Sequence, residues 1–369
     1  MTQSSELRAG EWVQVRSKKE IFATLDNLGQ LEGLPFMPEM FDSCGKRFQV
    51  FKRAHKTCDP PNGLGGRRML RTVHLTDVRC DGAAHGGCQA GCLVFWKEAW
   101  LQRADGPAVE TLVPLRPAVN RVESQALKGC TEAEVFAATR GTPEPASPDE
   151  PVFVCQSTQL SQATQHLPWW DFRQYAEDYT SGNVRLSQLL AAFLFFVYEH
   201  LVAAGLGLGA ALRWLYDAFQ KVRGGSPYPC RVGKIPRGAK TPAARLDLRP
   251  GDLVKVRRYD DILETLDEDS QNRGMWFDAE MVPFCGGTYR VHDRISRIIN
   301  EKTGKMQHLK NSCITLDGVV CRACYAKYRR FCPRSIFPYW REIWLERVGT
   351  EASGNPKESE PQKEMSVSS

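Results

Sequence analysis

The pattern of apolar and polar positions occurs twice along this chain of 369 residues. Gly10 is followed by Trp12-Val13-Gln14-Val15, and Gly251 by Leu253-Val254-Lys255-Val256. Apolar and polar side chains alternate in both places, which predicts a strand with one buried face. The whole segment 8–53 returns without a gap as segment 249–294, 241 positions later. The sequence therefore predicts an internal duplication.

Both copies end in a tryptophan-rich stretch. Trp96-Lys97-Glu98-Ala99-Trp100-Leu101 corresponds to Trp340-Arg341-Glu342-Ile343-Trp344-Leu345. Each pair of tryptophans is predicted to anchor the core of its own copy rather than to form a platform for a ligand. The predicted repeat modules are residues 7–103 and residues 246–348.

The chain between the modules is predicted to contain a linker and helices. Residues 104–165 form an extension whose proline-rich stretch, 141–151, is expected not to pack. Residues 166–224 are predicted to form a helical hairpin, with one helix from Val184 to about Ala204 and another from Ala210 to Val222. The tail 353–369 is rich in Glu, Lys, Pro and Ser and is predicted to be disordered.

Short strands separated by tight turns suggest that each module is a small barrel. The stretch Pro250-Gly251-Asp252-Leu253-Val254-Lys255-Val256 resembles the first strand of SH3-like barrels, the group that includes KOW-type domains and the barrel of nitrile hydratase beta subunits. This resemblance implies a fold and carries no functional residue with it. The predicted fold class is α+β, with two duplicated β-rich, SH3-like modules that have cysteine-rich metal loops and are joined by a helical hairpin.

Composition and charge restrict the function only weakly. The 49 basic and 43 acidic residues give a net charge of +6, and the basic residues are scattered, which is a weak indication of an anionic partner. Residues 1–10 lack the basic and then apolar pattern of a signal peptide. Thirteen cysteines without an export signal are expected to be thiols or metal ligands in the reducing cytoplasm.

Three cysteine positions recur in the two modules, and each module adds one further candidate ligand. The first set is Cys44, Cys80 and Cys88 with His85, and the second is Cys285, Cys321 and Cys332 with Cys324. Recurring cysteines can be small buried apolar residues, but four candidate ligands in each module favour tetrahedral zinc. We predict a Cys₃His site and an all-cysteine site, with iron–sulfur as the less favoured cofactor. Cys92 is an extra candidate ligand in the first module.

The preferred functional hypothesis is a zinc-stabilised, tandem-module binding or adaptor protein that engages a partner protein or nucleic acid. For nucleic acid, the candidate contacts are Arg329 and Arg330, which lie in a segment of basic and aromatic residues. The alternative is a metal-dependent or thiol-based enzyme with its site around His85, Cys88 and Cys92. In that case a metal with an exchangeable position would carry the chemistry.

Glu39 and Glu280 also recur, each directly before a methionine. A carboxylate among apolar residues can serve as a general base with a raised pKa. The more usual role is a structural ion pair, and we expect pairs with the recurring arginines 16 and 257 or 53 and 294.

The apolar run Leu189 to Tyr198 ends at Glu199, short of the about 20 residues that a bilayer span needs. A soluble helical hairpin is therefore favoured. Association of residues 186–219 with a membrane surface is the less favoured alternative.

Overall fold

The computed structural model describes residues 6–59, 65–107, 129–143, 148–204, 207–326 and 328–348. The predicted disordered tail, 353–369, and part of the proline-rich stretch lie outside the described residues. Helices and strands both contribute to the described chain, which agrees with the predicted α+β class.

The first part of the chain is mainly β-structure. Its elements are β1 (Trp12–Val15), α1 (Lys18–Phe22), β2 (Gln30–Leu31), β3 (Leu34–Pro35), β4 (Arg47–Arg53), β5 (Lys56–Cys58), β6 (Gly66–Arg68), β7 (Thr72–Arg79), β8 (Leu93–Lys97) and β9 (Leu101–Arg103). Two short 3-10 helices, Pro38–Ser43 and Glu98–Trp100, complete it.

The middle and last parts follow. The middle contains α2 (Glu132–Ala137), β10 (Gln165–Leu167), α3 (Arg173–Thr180), α4 (Leu186–Ala203) and α5 (Gly209–Arg223). The last part contains β11 (Leu253–Val256), α6 (Tyr259–Leu263), β12 (Gln271–Asn272), β13 (Met275–Trp276), β14 (Thr288–Ile299), β15 (Met306–Leu316) and β16 (Leu345–Arg347), with 3-10 helices Ala279–Phe284 and Glu342–Trp344.

Two antiparallel sheets use corresponding strand pairs. The first has the order β8-β7-β4-β1-β9, and the second has the order β15-β14-β11-β16. In the first sheet Val13 pairs with Phe48, and in the second Val254 pairs with Tyr289. The alternation that predicted β1 and β11 therefore places equivalent residues opposite one another in both sheets.

Each sheet covers its own aromatic core. Trp96 and Trp100 are fully buried, and the ring of Phe36 lies 6.2 and 5.2 Å from theirs. In the second core the ring of Phe277 lies 6.0 and 5.2 Å from Trp340 and Trp344, which are equally buried. The prediction that the tryptophans anchor their own cores is confirmed.

The chain beside the proline-rich stretch does pack, contrary to expectation. The N–H of Gly141 donates to the carbonyl of Val152 at 2.8 Å, and the N–H of Phe153 donates to Gly304 at 2.8 Å. The apolar run Val152-Phe153-Val154 explains this, because it can be buried between the first module and the turn after β14. Cys155 is thereby fixed close to both modules.

Candidate metal centre

A small cavity of about 40 Å³ lies between the first module, the segment after Val154 and the turn after β14. Four thiols line this cavity, and they belong to Cys80, Cys88, Cys92 and Cys155. Ile299 and Glu301 line it from the second module. The space fits a guest the size of a metal ion or a water molecule and is too small for an organic substrate.

The loop after β7 brings three of these cysteines together. The N–H of Cys80 donates to the carbonyl of Cys92 at 2.9 Å, so the two ends of the loop meet. Gly82 has a φ of +71°, and a Cβ at this position would lie 2.1 Å from the carbonyl oxygen of Cys88. The loop can therefore close tightly only with glycine at this position.

The second module also contacts a candidate ligand. The N–H of Ile299 donates to the Sγ of Cys88 at 3.3 Å. Hydrogen bonds from backbone amides to a cysteine sulfur stabilise its thiolate form and orient it toward a metal. Cys88 is thus positioned by both modules.

The thiols around the cavity influence one another's protonation. Burial, reinforced by Glu39 and Cys92, raises the pKa of Cys80. Burial also raises the pKa of Cys92, and it raises the pKa of Cys155 to about 12. The thiols are therefore expected to stay protonated until a cation supplies the charge that makes their thiolate forms stable.

His85 is only 1% exposed, and both of its ring nitrogens have hydrogen-bond partners. Nδ1 lies 2.6 Å from Oε1 of Glu39, and Nε2 lies 3.0 Å from the carbonyl oxygen of Val154. Both partners can accept a hydrogen bond, and a ring that carries a proton on each nitrogen satisfies both of them. Burial is the largest single influence on the pKa of Glu39 and acts to raise it, but the hydrogen bond and charge of His85, together with hydrogen bonds from backbone amides, lower it overall. Glu39 and His85 therefore form a buried ion pair.

Glu39, Cys80 and His85 offer a second arrangement of metal ligands. They are the one group in the described part of the chain whose three candidate ligand atoms all lie within 4.8 Å of one another. Oε2 of Glu39 is buried without a hydrogen-bond partner among the described residues, which suits a cation. A metal held by this trio would replace the proton on Nδ1 and would leave Cys92 and Cys155 unused.

Cys44 lies apart from this cavity. Its Sγ is 3.9 Å from the carbonyl oxygen of Met40, at the end of the 3-10 helix. Burial raises the pKa of Cys44, and the charged groups that also act on it are Lys18, Asp42 and Glu132. At the end of the helix this thiol points back toward the carbonyl oxygen of Met40. The structure therefore does not assemble the predicted set of Cys44 with Cys80, His85 and Cys88.

Cys285 has the same arrangement in the second module. Its Sγ is 3.9 Å from the carbonyl oxygen of Met281, and burial alone raises its pKa to about 12. The recurrence of Cys44 and Cys285 is therefore explained by packing as small apolar residues.

The recurring glutamates fasten the cysteine loops in both modules. Glu39 accepts a hydrogen bond from the N–H of Ala84 at 3.1 Å, and Glu280 accepts one from Ala326 at 2.9 Å. Burial raises the pKa of Glu280, which has no histidine partner equivalent to His85 in the described loop. The two carboxylates thus occupy equivalent positions in their modules, but only Glu39 has a histidine as a hydrogen-bond partner among the described residues.

The expected ion pairs between these glutamates and the recurring arginines are wrong. The arginines have other partners, namely Arg16 with Glu20, Arg53 with Glu6, Arg257 with Glu346 and Arg294 with Glu342. The amides of the cysteine loops lie against the two carboxylates and take the place of the arginines as hydrogen-bond donors.

In the second module, Cys321, Cys324 and Cys332 lie in the loop after β15. Cys332 and Cys321 pack with Cys58, which ends β5 in the first module. A hydrogen bond from the Cys58 thiol lowers the pKa of Cys332 to about 7. Cys324 is exposed at the edge of this cluster. The predicted second site therefore changes, because Cys58 lies beside the loop and Cys285 does not.

The segment proposed for nucleic acid does not present its arginines to solvent. Arg330 is 6% exposed, lies 3.3 Å from Glu199 of α4, and has its guanidinium over the ring of Phe195. Arg329 lies 3.9 Å from Asp278. Helix α4 covers Arg330. Binding of nucleic acid by this arginine pair stays a prediction.

Comparison with known proteins adds no relative: no family model, no curated protein and no solved structure matches this chain. The chemistry of the thiols and their geometry therefore carry the functional interpretation.

Proposed function

We propose that this protein is a zinc-binding adaptor in which Cys80, Cys88, Cys92 and Cys155 hold one metal ion. The cavity lined by these four thiols is the observation that supports the proposal. No three of their sulfur atoms lie within 4.8 Å of one another in the described structure, so the ion would draw them together. Thiolates favour zinc over hard cations such as calcium or magnesium. Four protein ligands complete a tetrahedral shell and leave no position for a substrate, which favours a structural role over the metal-dependent or thiol-based enzyme.

The metal would fix the junction between the modules. Three of its ligands come from the loop after β7, and the fourth, Cys155, comes from the connecting chain. The second module contributes the N–H of Ile299 and the side chain of Glu301 to the same place. A bound ion would therefore hold two binding surfaces in one arrangement, which is what simultaneous engagement of a partner requires.

We infer that the two modules are duplicated SH3-like barrels. The repeated sequence and the corresponding strand pairs, Val13 with Phe48 and Val254 with Tyr289, support this origin. Divergence of the cysteine loops then left each module with its own set of thiols.

Elemental analysis of the purified protein tests the metal proposal. We expect zinc in the unaltered chain and the loss of one equivalent in Cys155→Ser, because the serine hydroxyl is a poor replacement for a thiolate ligand. Cys44→Ser is the matched control and should keep its metal, since Cys44 lies away from the cavity. Glu39→Gln should also keep its metal.

Two results would contradict this ligand set. Full zinc content in Cys155→Ser, together with loss of zinc in Glu39→Gln, would assign the ion to Glu39, Cys80 and His85 instead. A chain that contains no metal when it is purified from zinc-supplemented cells would remove the proposal altogether.

The hairpin of α4 and α5 favours a second function, docking on an anionic lipid surface. α4 is long and apolar enough to cross a membrane by length and composition alone, and Val202 is its one buried residue. Exposed side chains recur along one face of α4 at the spacing of a helix, and they are Leu186, Leu190, Phe193, Leu194, Val197 and Leu201. Such a stripe can enter the interfacial layer of a bilayer while the rest of the protein stays in water.

The charges of the hairpin fit an anionic surface. Its acidic residues Glu199 and Asp217 pair with Arg330 and Arg231 of neighbouring segments. Its basic residues are exposed and make no ion pair within the described chain, and they are Arg185, Arg213, Lys221 and Arg223. Exposed Trp169, Trp170 and Trp214 add the amphipathic rings that occur at membrane interfaces.

Flotation with vesicles of phosphatidylserine and phosphatidylcholine tests this second function. The unaltered chain should float with the vesicles, and the triple variant Leu190→Ser, Phe193→Ser, Val197→Ser should stay largely unbound, because each lost methylene removes about 0.8 kcal/mol of transfer free energy. Trp276→Ser, which removes an exposed ring outside the hairpin, should float like the unaltered chain. A chain that ignores such vesicles at low salt would exclude the lipid surface.

A further inference from the structure

A second cluster of thiols also lies where the two modules meet. Cys58 and Cys332 are buried together with Ala323, and Cys321 packs against them. Cys58 belongs to the first module, whereas the other residues belong to the loop after β15. This cluster is separate from the four-thiol cavity, because none of its residues lines that cavity.

The two clusters are related by reciprocal contacts. The N–H of Cys58 donates to the Sγ of Cys332 at 3.1 Å, and the N–H of Ile299 donates to the Sγ of Cys88 at 3.3 Å. Ile299 occupies the repeat position of Cys58, and Cys332 occupies the repeat position of Cys88. Each module therefore gives the other the same backbone hydrogen bond, as the two halves of an isologous interface do.

The reciprocity also shows how the two ligand sets have diverged. In the first cluster Cys92 is a thiol, and its counterpart Ile336 packs against the second cluster. In the second cluster Cys58 is a thiol, and its counterpart Ile299 lines the first cavity. At each of these two repeat positions, one cluster has a cysteine and the other has an isoleucine. Each cluster therefore still has four cysteines, the number that a tetrahedral zinc site needs.

The loop after β15 is folded so that its cysteines approach Cys58. The N–H of Phe331 donates to the carbonyl of Ala323 at 2.8 Å, which closes the loop between Cys321 and Cys332. Ala323 has a φ of +50°, the left-handed conformation of a tight turn between Cys321 and Cys324. The Cys-x-x-Cys spacing on such a turn is the spacing at which short loops bind zinc.

A buried cation lies beside this cluster. The guanidinium of Arg334 is 2% exposed and donates to the carbonyl oxygen of Cys58 at 3.3 Å. It also donates to Ser157 at 2.8 Å and to Glu301, so it links the second cluster with the segment that carries Cys155.

We propose that Cys58, Cys321, Cys324 and Cys332 bind a second zinc ion, which cross-links the first module to the second. Three of these thiols belong to or pack against the buried cluster. No three of the four sulfur atoms lie within 4.8 Å of one another in the described structure, so the ion would draw them together. Cys324 would complete the set by a turn of its exposed side chain toward Cys321. The site does not depend on the four-thiol cavity, because the two share no ligand.

Alkylation of the native, metal-loaded protein with iodoacetamide tests the second site without any substitution. Cys324 and Cys230 are both exposed thiols, and Cys230 lies in a different segment. Zinc should protect Cys324, so that it reacts slower than Cys230 by about tenfold or more until a chelator is added. Equal rates before and after metal removal would overturn the proposal, as would protection that only a reductant relieves, because that would indicate a disulfide.

Metal content of matched variants provides an independent measurement. Cys58→Ser should lose one equivalent of zinc, whereas Cys285→Ser should lose none. Failure of this second site can be distinguished from failure of the four-thiol site. Cys155→Ser should lose the metal of the four-thiol site, while zinc at the second site should still protect Cys324 from alkylation. Full zinc content in Cys58→Ser would overturn the assignment of Cys58.

Discussion

Removal of zinc is expected to lower the free energy of unfolding by several kcal/mol and up to about 10 kcal/mol, in view of the binding free energies of structural zinc in small domains. The reason is that the ligands of the four-thiol cavity come from two separate segments, the loop after β7 and the chain at Cys155. The ion would add to the contacts that already join these segments, which include the hydrogen bond between His85 and the carbonyl oxygen of Val154. Thermal unfolding with and without a chelator measures the effect.

Variants show which thiols carry this stabilisation. Cys155→Ser should unfold at a lower temperature than the unaltered chain and should respond less to the chelator, because one of its metal ions is already lost. Cys44→Ser should respond as the unaltered chain does. If the chelator leaves the unfolding of the unaltered protein unchanged, metal binding makes no contribution to its stability.

Much of the fold could be predicted because its signals are local. Alternation at Val13 and Val15, and at Val254 and Val256, identified β1 and β11. The predicted pair of apolar helices is present as α4 and α5, with ends within a few residues of the prediction. The linker was the exception, since Phe153 beside it is buried and its N–H donates to Gly304, which lies far away in the chain.

The candidate site could be predicted only in part, for a related reason. Cys80, Cys88 and Cys92 are close in sequence, so their spacing shows that they can share a site. Cys155 lies outside the repeat and Cys58 has an isoleucine as its counterpart, so neither carries a signal of recurrence. Both reach their clusters through contacts between modules, which a search for repeats does not detect.

Recurrence also misled the choice of ligands. Cys44 and Cys285 recur because both modules pack a small side chain at the end of the same 3-10 helix. A sequence repeat preserves positions that matter for packing as well as positions that matter for chemistry, so a repeated cysteine does not by itself indicate a metal. Cysteines that are candidate ligands differ from cysteines that only fill space, because their sulfur atoms lie at the contact between the modules. The hydrogen bonds from the N–H of Cys58 to Cys332 and from the N–H of Ile299 to Cys88 identify two such cysteines.

Replacement of Glu39 by glutamine is expected to cost about 3–5 kcal/mol of stability, because the imidazolium of His85 would lose its buried counter-charge. The equivalent change Glu280→Gln should cost about 1 kcal/mol or less. Its amide oxygen can still accept the N–H of Ala326, and burial has already raised the pKa of Glu280. Chemical denaturation at neutral pH of these two variants compares the same substitution in two charge environments.

The stability that the pair of Glu39 and His85 contributes is expected to depend on pH in a characteristic way. The folded-state pKa of Glu39 is lower than its ordinary value of 4.5. Its stabilisation is therefore fully present above about pH 4.5 and is lost as the pH falls through the folded-state pKa. The difference in unfolding free energy between the unaltered chain and Glu39→Gln should shrink on acidification.

The stability that depends on Glu280 should change with pH in the opposite direction, because the folded-state pKa of Glu280 is raised. The folded state then binds the proton more tightly, and the unaltered chain loses stability relative to Glu280→Gln as the pH rises from about 4.5 through the raised value. Equal costs for the two substitutions at neutral pH would show that His85 is not an imidazolium that relies on Glu39 for its counter-charge. Such a result would leave the His85 nitrogens available to a metal and would favour the trio of Glu39, Cys80 and His85 over the four thiols.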